Sequence, residues 1–141
     1  MVIGDPGSAL QLGPRDFERF VADVLVCMPH TAVLLGAHSK DAGVDLVVAS
    51  LGDVGPTVTL VQCKRYEKRV KEGAVKGLLA DVFRHAATGG LLVTSSDFSR
   101  GAGSLCAQFM WRIQLWRGVD LLTRFEDSGL TPHVLGIGRP Q

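Results

Sequence analysis

The segment TVTLVQCKRY, residues 57–66, decides the fold, because it reads as a strand that begins apolar and ends in polar and charged residues. Side chains alternate along a strand. One face therefore carries Thr59, Val61 and Cys63, and the other carries Val58, Leu60, Gln62 and Lys64. The glutamine and the lysine thus leave the end of the strand on the same side. A strand end that simply turns polar on reaching solvent gives the same pattern, so this pair alone does not identify a site.

A second strand lies just upstream and predicts a hairpin. Residues 44–50, VDLVVAS, are apolar, and LGDVGP at 51–56 is a turn between the two segments. Antiparallel pairing would bring Asp45 close to the polar end of the first segment. An aspartate with apolar residues on both sides is costly in a strand unless it is paired or ligated. The alternative is that Asp45 merely begins the strand.

The rest of the chain alternates helical and strand patterns. Pro14 and an apolar stripe from Phe17 predict an amphipathic helix over about 14–28. The other predicted elements are a strand at 32–36, a helix through 75–83 ended by Gly89-Gly90, a strand at 91–95, a helix from Ser99, a strand at 113–116 and a helix near 120–126. This order favours an α/β fold, a mixed β-sheet flanked by α-helices. We expect an irregular lead-in over 1–13, one domain over 14–130 and a tail over 131–141.

The composition fits one globular domain, with 141 residues, 46% apolar and 21% charged. The net charge of +1 hides an asymmetry. Residues 1–60 carry seven acids and three bases, whereas residues 61–141 carry seven acids and twelve bases. The basic excess is densest in KRYEKRVKEGAVK, residues 64–76, which could contact phosphate. It could equally be a solvated helix face on which Glu67 and Lys71 pair.

Cysteine usage and the start of the chain predict the compartment. The three cysteines lie far apart among apolar neighbours and show no metal-binding spacing, which predicts small buried thiols in a reducing environment: Cys27, Cys63 and Cys106. The first residues lack the pattern of a signal peptide, and no apolar run approaches membrane-spanning length. We therefore expect a cytoplasmic protein with no membrane partner.

The polar residues of the hairpin are of the types that bind a hard cation. The Asp45 carboxylate and the Gln62 amide oxygen are donors that Mg²⁺ accepts, whereas the Lys64 ammonium could orient or help deprotonate water, or stabilise transition-state charge. Glu18 lies at the border of the apolar stripe of the first helix and is a further carboxylate candidate. The other acids considered have weaker claims: Asp16, Asp23 and Asp41.

Four stretches together resemble the catalytic domain of Mrr-type restriction endonucleases, within the PD-(D/E)XK nuclease superfamily. In chain order these stretches are DFERFVADVL, KDAGVDLVV, LVQCKRY and GGLLVTSSDFSRGA. The resemblance covers about residues 14–125, and the order of the motifs makes it more specific than any one of them. It implies a restriction-endonuclease-like mixed sheet with helices on both faces.

The resemblance also implies the roles of individual residues. The helix acid of the family falls on Glu18, the metal-binding aspartate on Asp45, the acid-or-glutamine position on Gln62 and the catalytic lysine on Lys64. It implies a metal-dependent endonuclease that hydrolyses DNA phosphodiester bonds, with Mg²⁺ or Mn²⁺ held by Glu18, Asp45 and Gln62. Ala42 replaces a common glycine. Because a glutamine carries one negative charge fewer than a glutamate, divalent binding should be weaker and Mn²⁺ is expected to support activity better than Mg²⁺.

DNA is the expected partner, and its candidate contacts surround the motif: Lys40, Arg65, Lys68, Arg69 and Ser95. Ser95, like Ser96, could instead cap the following helix. Two other functions remain open, a nuclease-fold module that binds nucleic acid or protein without cleaving, and the effector domain of a larger defence protein with a separate recognition domain or subunit. A homodimer is expected for double-strand cleavage, although no segment marks its interface. The resemblance implies a role in defence against foreign DNA.

Overall fold

The computed structural model describes residues 13–35, 44–52, 55–65, 68–109 and 112–128. Its elements are, in chain order, α1 Pro14–Val26, β1 Thr31–Leu35, β2 Leu46–Gly52, β3 Gly55–Lys64, α2 Glu72–Arg84, β4 Gly89–Thr94, α3 Arg100–Gln108, β5 Ile113–Trp116 and α4 Gly118–Ser128. Each helix and strand predicted from the sequence is present. The predicted lead-in, apart from Gly13, and the predicted tail lie outside the described residues.

The strands form one mixed sheet in the order β1-β2-β3-β4-β5. β1 pairs with β2 and β2 with β3 in antiparallel fashion, whereas β3 pairs with β4 and β4 with β5 in parallel. The predicted hairpin is therefore β2-β3, in which Leu46 is opposite Val61 and Gly52 is opposite Gly55. The mixed α/β architecture predicted from the sequence is confirmed, and β3 lies at its centre.

Helices α1 and α4 cover one face of the sheet. α1 begins at Pro14, whose missing N–H costs nothing at a helix start. Its apolar stripe is buried at Phe17, Phe20, Val21, Val24 and Leu25. Phe20 packs against Phe125 of α4 with ring centroids 5.4 Å apart. Because burying one such side chain stabilises the fold by about 1.5–3 kcal/mol, this stripe fixes α1 over the sheet.

Helices α2 and α3 cover the opposite face. Val75, Leu78 and Val82 of α2 pack with Leu60, Leu92 and Ile113 from the sheet. The side chains of β3 therefore divide as the sequence predicted. Leu60 enters the core under α2, whereas Val61 and Cys63 face the core under α1.

Several boundaries differ from the sequence predictions. β2 runs over 46–52 instead of 44–50 and β3 begins at Gly55, so part of the turn predicted at 51–56 belongs to the two strands. α1 ends at Val26 rather than at residue 28. α2 ends at Arg84, and Gly89-Gly90 are already part of β4 instead of ending the helix. The physical reason is that the backbone before β5 approaches the start of β4 closely. A Cβ on Gly89 would lie 2.7 Å from the Arg112 carbonyl oxygen, so glycine is needed there for the strands to pair.

Two predictions about small residues are wrong. Ser99, not Ser95 or Ser96, caps α3, because its hydroxyl accepts a hydrogen bond from the Ala102 N–H at 3.1 Å. Cys27 is exposed rather than buried. It follows the last helical turn of α1, where the apolar stripe has ended, and its thiol donates to the Asp23 carbonyl. Cys63 and Cys106 are half-buried.

Among the helices that the structure describes, none combines the length and apolar character needed to traverse a lipid bilayer.

Candidate active site

Three chain segments meet at one end of the sheet. β3 and β4 end there, at Lys64 and Thr94, and β2, which runs the other way, begins there at Leu46. The carboxyl ends of neighbouring parallel strands are the usual place for a site in α/β folds. The polar end of TVTLVQCKRY and Asp45 therefore lie at the same edge, as the hairpin prediction required.

Asp45 is aimed by an irregularity in the β2-β3 pairing. The Val61 carbonyl accepts a hydrogen bond from the Asp45 N–H at 2.9 Å, although Val61 is the register partner of Leu46. Two successive residues thus oppose one, which is the arrangement of a β-bulge. Bulges re-aim side chains at the ends of strands, and this one turns Asp45 towards the end of β3.

Next to the first residue of β2, the Asp45 side chain takes the place of a backbone hydrogen-bond acceptor for β3. Its Oδ2 atom accepts a hydrogen bond from the Cys63 N–H at 2.7 Å. Because a strand N–H points within the plane of the sheet, the carboxylate lies beside β3, level with the middle residue of the Gln62-Cys63-Lys64 motif. A short hydrogen bond to a charged acceptor is among the stronger kinds, so the carboxylate is well fixed.

Glu18 reaches Asp45 from the first half of α1. The two side chains share a hydrogen bond. Burial, the charge of the Asp45 carboxylate and that hydrogen bond together raise the pKa of Glu18 to about 7, although Arg15 acts in the opposite direction. Near neutral pH Glu18 therefore keeps a proton in part of the molecules, because its carboxylate would lie close to the negative charge of Asp45.

Cys63 lies against this acid pair. Burial raises the pKa of the Cys63 thiol well above its ordinary range, and the carboxylates of Asp45 and Glu18 add to the effect. The thiol is therefore a neutral, partly buried neighbour and not a reactive thiolate. The influence of both carboxylates on the pKa of Cys63 indicates that Glu18, Asp45 and the middle of the motif lie within electrostatic reach of one another.

Gln62 and Lys64 leave β3 one residue before and one residue after the Asp45 contact. Both are half-buried. By strand alternation their side chains project to the face opposite Cys63. The Lys64 carbonyl accepts a hydrogen bond from the Ser95 N–H at 3.2 Å, which joins the ends of β3 and β4. The structure therefore brings Glu18 and Asp45 within interaction distance of each other at this strand end, whereas Gln62 and Lys64 leave the same strand end on its other face.

The oxygen donors at this strand end are of the types that a hard cation accepts, two carboxylates and, from the other face of β3, the Gln62 amide. Within the described ranges, no group of three or more His, Cys, Asp and Glu side chains is arranged to hold a metal. The only carboxylates this site offers within those ranges are Glu18 and Asp45, and any further protein oxygen must come from another residue type such as Gln62. The proton that the raised pKa keeps on Glu18 is also what a bound cation would replace.

The candidate DNA contacts lie around the same edge. The segment that carries Lys68 and Arg69 is held against the chain that follows β4, because the Ser96 hydroxyl donates to the Lys68 carbonyl at 2.7 Å and the Val70 N–H donates to the Asp97 carbonyl at 2.9 Å. Lys68 and Arg69 are exposed. Two further predicted contacts, Arg65 and Ser95, are half-buried beside Lys64.

Several residues named in the sequence predictions lie outside the ranges that the structure describes. Lys40, Asp41 and Ala42 lie outside the described residues, as does Glu67 of the proposed pair with Lys71. Of the weaker acid candidates, Asp16 is exposed, and Asp23 is half-buried with a pKa raised by burial. Because Glu18 and Asp45 interact with each other at the strand end, they are better candidates for the site than Asp16 or Asp23.

Sequence reasoning missed two features of the site. The Cys63 N–H is the group that fixes Asp45, yet a backbone donor has no sequence signature. The bulge was also missed, because the 44–50 segment shows no glycine at its position. The one available signal was the presence of an aspartate inside an apolar segment, which requires a partner.

Residues 9–125 match the family model of the restriction endonuclease Mrr catalytic domain. That match spans more than four-fifths of the chain. No curated protein sequence matches it.

Two solved structures have a similar fold. One is the DNA modification-dependent restriction endonuclease AspBHI, which is 18% identical and superposes with a TM-score of 0.73 over 93% of this chain and 37% of its own. The other is the MspJI restriction endonuclease in complex with a 27-mer oligonucleotide, with 22% identity and a TM-score of 0.64 over 85% of this chain and 30% of its own. The chain thus spans about a third of the length of each protein.

Proposed function

The chain belongs to the Mrr catalytic-domain family of restriction endonucleases, and from this membership we propose that it is a DNA-cleaving domain that depends on a divalent cation. The observation that carries the proposal is the Glu18–Asp45 pair held against the Gln62-Cys63-Lys64 strand end. Cytoplasmic cleavage of foreign DNA, as a defence, is the role that this family membership supports.

Glu18, Asp45 and Gln62 are the residues that would hold Mg²⁺ or Mn²⁺. All three offer oxygen donors, the type that hard divalent cations accept. When bound, the cation would supply Lewis-acid activation of water and would neutralise charge at the scissile phosphate. Below a pH of about 7 a proton on Glu18 competes with the cation, because the ligand form is the carboxylate.

Lys64 is the proposed catalytic lysine. Hydrolysis forms a bond between the water oxygen and phosphorus while the bond from phosphorus to the leaving sugar oxygen breaks, so negative charge builds on the phosphate oxygens. The Lys64 ammonium is a donor that can stabilise this charge and orient the attacking water. Asp45 can help to orient the water if its carboxylate is fixed. The hydrogen bond from the Cys63 N–H holds that carboxylate in place.

DNA is the proposed substrate and Lys68 and Arg69 the proposed backbone contacts, assisted by Arg65, Ser95 and Lys40. Exposed cations beside a strand-end site favour phosphate binding. AspBHI and MspJI are restriction endonucleases about three times as long as the matching part. We therefore propose that a further domain or subunit supplies sequence recognition.

Plasmid cleavage tests the proposal. Supercoiled plasmid is incubated with wild type, Lys64→Ala and Asp45→Asn, each with Mg²⁺, Mn²⁺ or EDTA. Wild type should nick or linearise the plasmid with either metal and not with EDTA, and each substitution should lower the rate by roughly 100-fold or more. Arg124→Ala on α4 is the matched control, because its side chain packs over Trp116 of β5, which β4 separates from β3.

Three results would contradict the proposal: full activity of Lys64→Ala, cleavage in EDTA, or intact plasmid under every metal condition. Intact plasmid with retained DNA binding would instead identify a nuclease-fold binding module.

A further inference from the structure

The chain that follows β4 binds two neighbouring segments of the candidate site. Its Ser95 N–H donates to the Lys64 carbonyl at 3.2 Å. The next residue, Ser96, donates its hydroxyl proton to the Lys68 carbonyl at 2.7 Å. The end of β3 and the segment that carries the exposed cations Lys68 and Arg69 are therefore bound by two consecutive residues. Only the second of these contacts is made by a side chain.

Ser96 is oriented by a buried threonine. The hydroxyl of Thr94, a fully buried residue, accepts a hydrogen bond from the Ser96 N–H and lies 3.2 Å from the Ser96 hydroxyl oxygen. A hydroxyl has one proton, and that of Ser96 is directed to Lys68. Thr94 is therefore the donor to Ser96, and the hydrogen bonds run in one direction from Thr94 through Ser96 to the Lys68 carbonyl. Hydrogen bonds in such a series strengthen one another, so the position of that carbonyl is well defined.

The pairing of the two chains changes register across this contact. Lys64 is opposite Thr94 at the ends of β3 and β4, and Val70 forms an isolated parallel bridge with Phe98. The chain between these two points has five residues on the β3 side, 65–69, and three on the β4 side, 95–97. Strand pairing in one register cannot span both points. Among the described contacts, the Ser96 hydroxyl is what places Lys68 between them.

The cations of this segment are available for phosphate. Lys68 and Arg69 are exposed, and within the described ranges neither forms an ion pair. Val70, the next residue, is buried, and its N–H donates to the chain after β4. The backbone of the segment is thus held at Lys68 and at Val70, while the two charged side chains between and beside these points face solvent.

We propose that Ser96 is a positioning residue for the DNA substrate, whose hydroxyl fixes Lys68 and Arg69 relative to Lys64 so that they bind phosphates next to the scissile one. This inference rests on the proposed function and extends it to a residue that acts through its neighbours. A cation on a loosely held segment loses conformational freedom when it binds phosphate, which weakens binding. Removal of the Ser96 hydroxyl should therefore weaken DNA binding and leave the reacting groups unchanged.

Steady-state cleavage tests this division. Supercoiled plasmid is cleaved over a range of plasmid concentrations with Mn²⁺. Ser96→Ala should raise KM roughly fivefold and leave kcat within about twofold, as expected for an interaction made equally in the ground and transition states. Ser96→Thr keeps a hydroxyl and should restore KM. Ser99→Ala is the matched control, because it removes the cap of α3 in the same loop and leaves the Ser96–Lys68 hydrogen bond in place, so its KM should equal that of wild type.

A double-mutant cycle separates positioning from a general loss of stability. Fluorescence anisotropy in EDTA measures the dissociation constant of a short duplex for wild type, Ser96→Ala, Lys68→Ala/Arg69→Ala and the combination of all three changes. Ser96→Ala should raise the constant roughly fivefold in wild type but less than about twofold in the protein that lacks the two cations, because it acts through them. Thermal unfolding checks that each variant is folded. Thr94→Val, which removes the donor to Ser96, repeats the cycle if Ser96→Ala does not fold.

Three results would overturn the proposal. One is a duplex affinity that the loss of the Ser96 hydroxyl leaves unchanged, and another is a fall in kcat with an unchanged KM. The third is an equal loss of affinity with and without the Lys68 and Arg69 side chains, which would mean that Ser96 contacts DNA itself. Because affinity is measured without metal, it does not depend on cleavage. Coupling of Ser96 to the cations in a protein that cleaves no plasmid would support the positioning role and contradict the nuclease function.

Discussion

The Glu18–Asp45 pair shows how single residues acquire unusual chemistry from their neighbours. A glutamate on a solvent-facing helix ionises near its ordinary pKa of 4.5, whereas burial and Asp45 raise that of Glu18 to about 7. The unfavourable interaction persists in the folded protein because the Cys63 N–H holds the Asp45 carboxylate in place near Glu18. A cation would relieve it, which is why the pair is the core of the proposed site.

At the residue scale, the raised pKa of Glu18 predicts a pH-dependent stability. Between about pH 4.5 and 7 the folded state keeps a proton that the unfolded state loses, so the free energy of unfolding falls as pH rises through this window. Urea unfolding at pH 5 and pH 8 in EDTA should therefore show a smaller fall for Glu18→Gln than for wild type. The control is Glu126→Gln, at an exposed position on α4, which should behave as wild type. Equal falls in all three proteins would refute the shift.

Gln62 gives a second prediction at this scale. Gln62→Glu adds a carboxylate next to Asp45, so divalent cations should bind more tightly in the variant. The ion concentration for half-maximal cleavage should fall by about 10-fold, and Mg²⁺ should approach Mn²⁺ in effectiveness. Titration of Mg²⁺ and Mn²⁺ in the plasmid assay measures this. An unchanged half-maximal concentration would remove Gln62 from the proposed ligands.

At the element scale, α3 depends on its cap. Ser99 accepts a hydrogen bond from the Ala102 N–H, and Ala102 is fully buried on the inner face of α3. Ser99→Ala should lower the free energy of unfolding by about 1 kcal/mol, the usual cost of losing a helix cap. Ser104→Ala, at an exposed position within the same helix, is the control and should be neutral or slightly stabilising. Chemical denaturation compares the two, and equal effects would argue against the cap.

The start of β4 provides another test at the same scale. A Cβ on Gly89 would meet the Arg112 carbonyl at 2.7 Å, and backbone cannot move aside cheaply. Gly89→Ala should destabilise the protein by roughly 1–3 kcal/mol. Gly77→Ala in α2, where a Cβ would meet nothing within 4 Å, should instead stabilise it by about 0.5–1 kcal/mol. Thermal unfolding of both variants checks the opposite signs.

At the scale of the whole molecule, charge is concentrated where DNA is proposed to bind. The net charge is only +1, yet Lys68 and Arg69 are held next to the chain after β4. Lys68→Ala/Arg69→Ala should lower the slope of log affinity against log salt by about 2, since each lost phosphate contact contributes about 0.9. Fluorescence anisotropy with a short duplex measures the slope. An unchanged slope, with Arg124→Ala as the control, would place the DNA elsewhere.

How far the fold follows from sequence differs between elements. β3 and β5 were predicted almost to the residue, because a central strand must be apolar and its ends must turn polar. The ends of α1 and α2 were not. Helix termini depend on where tertiary contacts stop, and Gly89-Gly90, which resemble a helix stop, serve β4 instead. Local patterns therefore identified the elements better than their limits.

The sequence by itself determined the alternating order of helices and strands, the two faces of β3 and the residue types at its polar end. Those depend on periodicity and composition, which are local. Only the tertiary structure decided that Asp45 is turned by a bulge onto the Cys63 N–H, that Glu18 reaches it from α1, and that β3 becomes the central strand of the sheet. These depend on which distant backbone groups meet in space, and no pattern within one segment encodes that.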